Sequence, residues 1–333
     1  MRPRLIFCLL LVLGAIGGEM VHRAGAADAP RKVRMAFTSL SSVMCPPWIA
    51  REAGIFTKHG LDVEVIATPT GVEGMNALIA GELQFLQISG GTTASAALGG
   101  ADVIVVGTTL DSLVQSLIAR PEIDKPEQLK GKSLGITRFG TSIDVGARLA
   151  LRHFGLVPEK DVAIVQVGGM ESMVTALQTN RIQAGILSYP AITQALKLGH
   201  RALLDVASLG IPYAFTGMTT RGRLIREDAG LVRRYMMAQT EAIALAKRDK
   251  NFALKVMGKY LRTNPAALAE SYEIDVQKYM LRVPLTTSAA MKSVLDDLAA
   301  RIPKAKDADP KKFFDDTFVR QMQASGFIDA LYQ

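Results

Sequence analysis

One strand-and-helix unit occurs twice in this 333-residue chain, and that recurrence constrains the fold more than any single motif does. At an offset of 99 positions, Thr38 meets Thr137, Asp62 and Val63 meet Asp161 and Val162, and Ala77 and Leu78 meet Ala176 and Leu177. At the same offset Gln84 meets Gln183 and Ser89 meets Ser188, with Leu83 and Ile182 as a conservative pair. Several matches at one offset, each at the same place in a strand–helix–strand–helix–strand pattern, point to one fold unit used twice. Apolar spacing shared by any two α/β segments is the competing explanation. The second copy shows the unit most clearly. Residues 134–137 read as a short buried strand, Phe139 and Gly140 as a tight turn, and Thr141 or Ser142 as the N-cap of a helix running to about 154. That order leaves free backbone N–H groups aimed at one point, which suits an anion or a polar ligand group.

The chain opens with Arg2 and Arg4, an apolar run over 5–16 and an exit at Ala24-Gly25-Ala26, the pattern of a cleaved secretory signal over 1–26. The run is too short to cross a bilayer comfortably, so a soluble periplasmic protein is expected. Cleavage removes Arg2, Arg4, Arg23 and Glu19, which takes the formal charge from +8 to +6. That surplus is scattered, with few aromatics among the basic residues, so nucleic-acid binding is not indicated. Cys8 leaves with the signal, and Cys45 alone cannot form an internal disulfide. The remaining length exceeds one average domain, and two lobes are expected.

Strands are expected over 33–38, 61–66, 83–88, 103–106 and 112–119, then, after the one opened by Ser133, over 162–167, 183–187 and 213–219. Helices of ordinary length alternate with them, which argues parallel β-α-β units. Beyond 219 the pattern is purely helical, over 229–248, 252–261, 266–271 and 289–300. The stripe Leu231, Tyr235, Ala238, Ala242 and Leu245 needs a surface made earlier in the chain to cover it. If that surface is the first lobe, the chain crosses between lobes twice, near 117–120 and 215–220, a two-segment hinge with a cleft between the halves. The resulting division is a signal at 1–26, a discontinuous first lobe at 27–118 and 217–333, and a second lobe at 119–216.

Ligands of open parallel sheets sit beyond the C-terminal strand ends. Those ends carry Ser39, Ser41 and Ser42, then Thr70 and Gly71, then Ser89 and Gly90. The second copy supplies Arg138, Gly140, Thr141 and Ser142, then Gly169, then Ser188 and Tyr189. These loops offer hydrogen-bond donors more than titrating groups. Arg138, the strong charge among them, either meets an anionic ligand or is solvated or paired with Asp144. Trp48 is either core or a stacking surface, and Tyr189, Tyr213, Gln87 and Gln166 either shape a pocket or pack. Catalytic readings fare poorly. His59, His153 and His200 fall away from these loops, and no metal-binding spacing occurs. Gly131-Lys132-Ser133 resembles the end of a phosphate-binding loop but precedes a strand instead of following one. No catalytic residue, metal or cofactor is expected.

The order Ala53-Gly54-Ile55-Phe56, His59-Gly60-Leu61-Asp62-Val63, Ala77-Leu78-Ile79-Ala80-Gly81-Glu82-Leu83-Gln84 and Leu129-Lys130-Gly131-Lys132 resembles a known family over essentially the whole mature chain. The Arg233-Arg234 helix with Ala238, Ala242 and Ala246 completes the likeness. The family is that of periplasmic solute-binding proteins of ABC importers of the nitrate/sulfonate/taurine type, grouped with the NMT1/THI5-like domain. Gln84 stands where members commonly have an acid. The resemblance implies an α/β, type II periplasmic-binding-protein fold: two doubly wound lobes that close on a small molecule, with a C-terminal helical extension. Expected partners are a small organic anion, sulfonate- or carboxylate-like, and an inner-membrane ABC permease, the protein itself acting as a monomer. The alternatives are a pyrimidine-like or thiamine-precursor-like heterocycle held by Trp48 and Tyr189, an enzyme acting on such a heterocycle, and a sensory or scaffolding module without ligand.

Overall fold

In the computed structural model, which describes residues 29–333, the apolar runs assemble into two five-stranded sheets. The expected signal at 1–26 lies outside the described residues. The strands are β1 (Arg31–Phe37), β2 (Leu61–Ala67), β3 (Phe85–Ile88), β4 (Val103–Leu110), β5 (Ser116–Ala119), β6 (Ser133–Ile136), β7 (Ala163–Gln166), β8 (Ala184–Leu187), β9 (Arg201–Asp205) and β10 (Thr216–Arg221). The first sheet has the order β2-β1-β3-β10-β4 and the second β7-β6-β8-β5-β9. Position by position the two orders are equivalent.

The repeat is visible in hydrogen bonds as well as in topology. Gln84 Oε1 accepts from the Arg34 N–H at 2.7 Å, and its counterpart Gln183 Oε1 accepts from the Ser133 N–H at 3.1 Å. The Gln84 N–H donates to the Arg34 carbonyl at 2.9 Å, and the Gln183 N–H to the Ser133 carbonyl at 3.0 Å. A glutamine amide here satisfies an entering strand that would otherwise bury an unpaired donor, and both copies use the same solution. Strands β3, β5 and β8 are buried on both faces, which is why they read as continuous apolar runs.

Two expectations are corrected by the pairing. The strand expected over 112–119 as part of the first half begins at Ser116 and joins the second sheet, antiparallel to β8 and β9. The extended piece expected over 213–219 as the close of the second half is β10, which inserts antiparallel between β3 and β4 of the first sheet. Each sheet is therefore mixed, not purely parallel. β9 was not expected, because its half-exposed Arg-Ala-Leu-Leu-Asp sequence shows no apolar run.

The helices are α1 (Pro46–Glu52), α2 (Ile55–Lys58), α3 (Gly71–Ala80), α4 (Gly90–Leu98), α5 (Ser142–His153), α6 (Met170–Gln178), α7 (Ala191–Lys197), α8 (Gly222–Glu227), α9 (Ala229–Arg248), α10 (Lys250–Leu261), α11 (Ala269–Ser271), α12 (Ser288–Ala299), α13 (Thr317–Ala324) and α14 (Phe327–Ala330). Helix α9 buries Leu231, Tyr235, Ala238 and Ala242 in a core shared with α1 and β3. Tyr235 stacks on Phe85 at 3.7 Å, and Trp48 of α1 stacks on Tyr260 of α10 at 5.0 Å with an edge of Phe37 against it at 5.1 Å. Each large aromatic side chain so buried stabilises the fold by about 1.5–3 kcal/mol. The helical tail thus covers the first half, as the stripe required.

Gly217 marks the tightest point of the returning strand. A Cβ there would stand 2.3 Å from the Gly107 carbonyl oxygen, and neither backbone can retreat without breaking the ladder. Gly217→Ala is expected to lower stability by about 1–3 kcal/mol in urea unfolding. Unchanged stability would show that β10 is not held against β4.

Candidate functional site

A cavity of about 710 Å³ lies where loops from both sheets meet. The first sheet contributes Ser39 and Ser41 after β1, Thr68, Thr70 and Gly71 after β2, and Ser89 at the end of β3. The second contributes Thr137, Arg138, Thr141 and Ser142 after β6, Gly169 after β7 and Ser188 after β8. Phe215 and Thr216 of the returning crossing and Leu261, Arg262 and Thr263 at the end of α10 complete it. Apolar groups such as Leu40, Met44, Ile88, Ile143 and Met170 line much of the wall.

The two sides present different chemistry. On the first, the Thr70 hydroxyl caps α3 by accepting from the Glu73 N–H at 3.3 Å, and the Ser89 hydroxyl caps α4 by accepting from the Gly91 N–H at 3.2 Å. On the second, the Thr141 hydroxyl turns back to donate to the Arg138 carbonyl at 2.8 Å, so α5 has no side-chain cap. Gly169 has no side chain with which to cap α6. The first-turn N–H groups of these two helices, 12 and 9 residues long, therefore keep their donors for whatever enters the cavity, while their positive dipole ends are shared with the first-turn acids Asp144 and Glu171.

Arg138 is held from behind. The Phe139 N–H donates to Gln166 Oε1 at 3.0 Å, and the Gly140 N–H donates to Asp144 Oδ2 at 2.9 Å. Gly140 has a φ of 79°, a conformation glycine adopts without strain. Asp144 is fully buried and engages Arg148 at 2.7 Å and Arg301 at 2.9 Å. The pairing of Arg138 with Asp144 weighed from sequence therefore does not occur. Arg138 is exposed, and among the described residues it has no ion-pair partner.

Of the candidates named from sequence, Ser39, Ser41, Thr70, Gly71, Ser89, Arg138, Thr141, Ser142, Gly169 and Ser188 line this one cavity. The others do not. Trp48 is core, spent on Tyr260 and Phe37. Tyr213 is buried, and burial raises its hydroxyl pKa. Gly90 lies against Ala214, donating to its carbonyl at 2.9 Å, and Gly140 belongs to the turn behind Arg138. Ser42 is buried against Asp275. Tyr189 takes part through its carbonyl alone, which accepts from Ser41 at 2.9 Å and from Ser42 at 3.3 Å across the gap between the halves. Gln87 donates to the Val43 carbonyl at 3.3 Å and is likewise structural. Thr68 and Thr137 were missed although each directly follows a strand. Arg262 and Thr263 carried no signal, because helical periodicity says nothing about which end of a helix reaches a distant loop.

A family model described as NMT1/THI5 like matches residues 42–268. A Brucella abortus protein named as an inferred binding protein is 27% identical over 227 residues, covering 66% of this chain and 68% of its own. Among solved structures, a protein of Bordetella bronchiseptica superposes with a TM-score of 0.75 at 20% identity, covering 90% of this chain and 98% of its own. The periplasmic aliphatic sulphonate binding protein SsuA of Escherichia coli superposes at 0.72 with 16% identity, over 86% and 92%. The periplasmic nitrate-binding protein NrtA of Synechocystis superposes at 0.73 with 14% identity, over 91% of each chain. The two-lobe fold of periplasmic binding proteins is thereby shown for this chain.

Beneath the cavity floor sits a group that sequence did not single out. Asp275 is fully buried, accepts from the Ser42 hydroxyl through one oxygen and has no partner for the other. Burial pushes its carboxyl up to about 8, with Ser42 pulling the other way. The buried thiol of Cys45 lies in its field and also in that of the Lys247 ammonium, which donates to the Val276 carbonyl at 2.6 Å. Because the folded value lies above the unfolded one, the contribution of Asp275 to stability is complete below about pH 4 and is lost as pH rises through about 8. Asp275→Asn does not titrate. Its Tm relative to the parent protein is therefore expected to be higher at about pH 8.5 than at about pH 5. An offset equal at both pH values in scanning calorimetry would remove Asp275 as a titrating group.

Proposed function

The chain belongs to the NMT1/THI5-like family, and from that premise we propose that it is the periplasmic solute-binding component of an ABC importer. It captures a small organic anion, sulfonate- or carboxylate-like, between its two halves and delivers it to an inner-membrane permease. The observation that carries this reading is the cavity itself: uncapped starts of α5 and α6 and Arg138, unpaired among the described residues, on one side, with the hydroxyl of Ser39 opposite. Charge-assisted hydrogen bonds from such donors favour an oxyanion.

The first sheet with the helical tail that covers it, and the second sheet with its own helices, act as the two moving bodies. The closed arrangement is favoured because only it lets a ligand touch both sets of donors. Micromolar affinity, about −8 kcal/mol, needs only a handful of such contacts and leaves release feasible. No described helix is long and apolar enough to cross a membrane, which accords with a protein that meets its permease from outside the bilayer.

Turnover is the weaker reading. Arg138, Glu171 and Arg262 are the charged side chains of the lining and form no nucleophile–base pair. The Cys45 thiol is buried with its pKa raised, so thiolate is scarce. A heterocycle stacked on Trp48 loses its support, since that ring is fully buried, stacked on Tyr260 and outside the cavity lining.

A thermal-shift screen of sulfonates, carboxylates, nitrate and pyrimidines should show stabilisation by one class of anion without product formation. Arg138→Ala should weaken that anion at least about 10-fold, near 1.4 kcal/mol. Conversion of any of these compounds, or unchanged affinity in the variant, would overturn the assignment.

A further inference from the structure

Arg262 is a second cation of the cavity, and it arrives by an unrelated route. It is the residue that ends α10, whose Tyr260 stacks on Trp48 of the first half, whereas Arg138 follows β6 of the second sheet. The two guanidinium groups therefore enter from different halves. Both side chains are exposed, and neither has an ion-pair partner among the described residues. Arg262 also has a φ of 52°, in the left-handed region, at a helix C-terminus where glycine or asparagine is the usual residue. A side chain is strained there, so the fold alone would prefer glycine.

The lining holds one acid, Glu171. It lies in the first turn of α6, where the helix dipole already offsets a negative charge. Two cations against one compensated acid leave room for two negative groups. The lining as a whole exposes more apolar than polar surface, and Leu40, Met44, Ile88 and Met170 belong to it.

We propose that the ligand is a dianion with acidic groups at both ends of an apolar body, one end held by Arg138 and the other by Arg262. The proposal rests on the cleft-binding reading above and narrows it. Such a ligand is attached to both halves by charge, so it favours closure, whereas a monoanion is secured by charge to one half only. The cavity then discriminates through the second guanidinium more than through shape.

The test is titration calorimetry of the full protein with succinate, adipate and suberate, each against its monoacid: butyrate, hexanoate and octanoate. At least one diacid is expected to bind at least about 10-fold more tightly than its monoacid. Arg262→Gly should abolish that ratio, weakening the diacid at least about 10-fold, and leave Tm unchanged or higher, because the backbone relaxes. Arg262→Lys should recover part of the preference. Equal binding of diacids and monoacids, both lost in Arg138→Ala, overturns the second anchor while the anion-binding reading stands. Preference for ε-aminocaproate over adipate overturns it too and gives the second end to Glu171. No response to any of these acids, with stabilisation by an uncharged heterocycle, overturns both readings.

Discussion

Each sheet of this protein is completed by a strand that the chain reaches only by crossing from the other. β5 leaves the first sheet and inserts between β8 and β9, and β10 leaves the second and inserts between β3 and β4. The two crossings run side by side, the Tyr213 N–H donating to the Asp111 carbonyl at 2.7 Å and the Phe215 N–H to the Leu110 carbonyl at 3.1 Å. An extended strand buried between two neighbours cannot slide without breaking both ladders. The exchange therefore keeps the C-terminal strand ends of both sheets facing one gap. Every feature of the cavity depends on that geometry.

The gap is electrostatically lopsided. On the first-sheet side, serine and threonine hydroxyls satisfy the helix starts they precede, so those residues show the ligand little more than a neutral rim. On the second-sheet side, the starts of α5 and α6 are left open, and the Arg138 loop is fastened at its back by Asp144. Asp144 would be costly to bury alone, and Arg148 with Arg301 offsets that cost. Arg301 follows α12, which packs on the first half. The C-terminal helices therefore hold the anion-facing loop as well as covering the first sheet.

Much of this architecture was legible in the residues themselves. The two copies at one offset determined two equivalent α/β units, because a strand start that needs a glutamine to satisfy its N–H, and a strand end that opens a helix, are local requirements met within each unit. The strand-end loops of the cavity were legible for the same reason, since parallel sheets carry their ligand groups there. What sequence left open were choices between burial and exposure for single residues. Trp48 and Tyr213 were candidates for a ligand surface, and neighbours far away in the chain, Tyr260 for the first and Gly91 of α4 for the second, took them into the core.

Tertiary structure alone decided which sheet each crossing strand completes, because β5 is a short apolar run, β10 is rich in threonine, and neither sequence specifies the distant strands that flank it. It also decided that Arg138 stays free while Asp144 is taken, since the competing partner, Arg301, lies 157 positions further on. The same holds for Arg262, whose place in the cavity follows from how α10 packs on α1. A local sequence determines local hydrogen bonding and the periodicity of what must be buried. Long-range packing determines which charges are paired, and here it leaves Arg138 and Arg262, both in the cavity lining, without an ion-pair partner among the described residues.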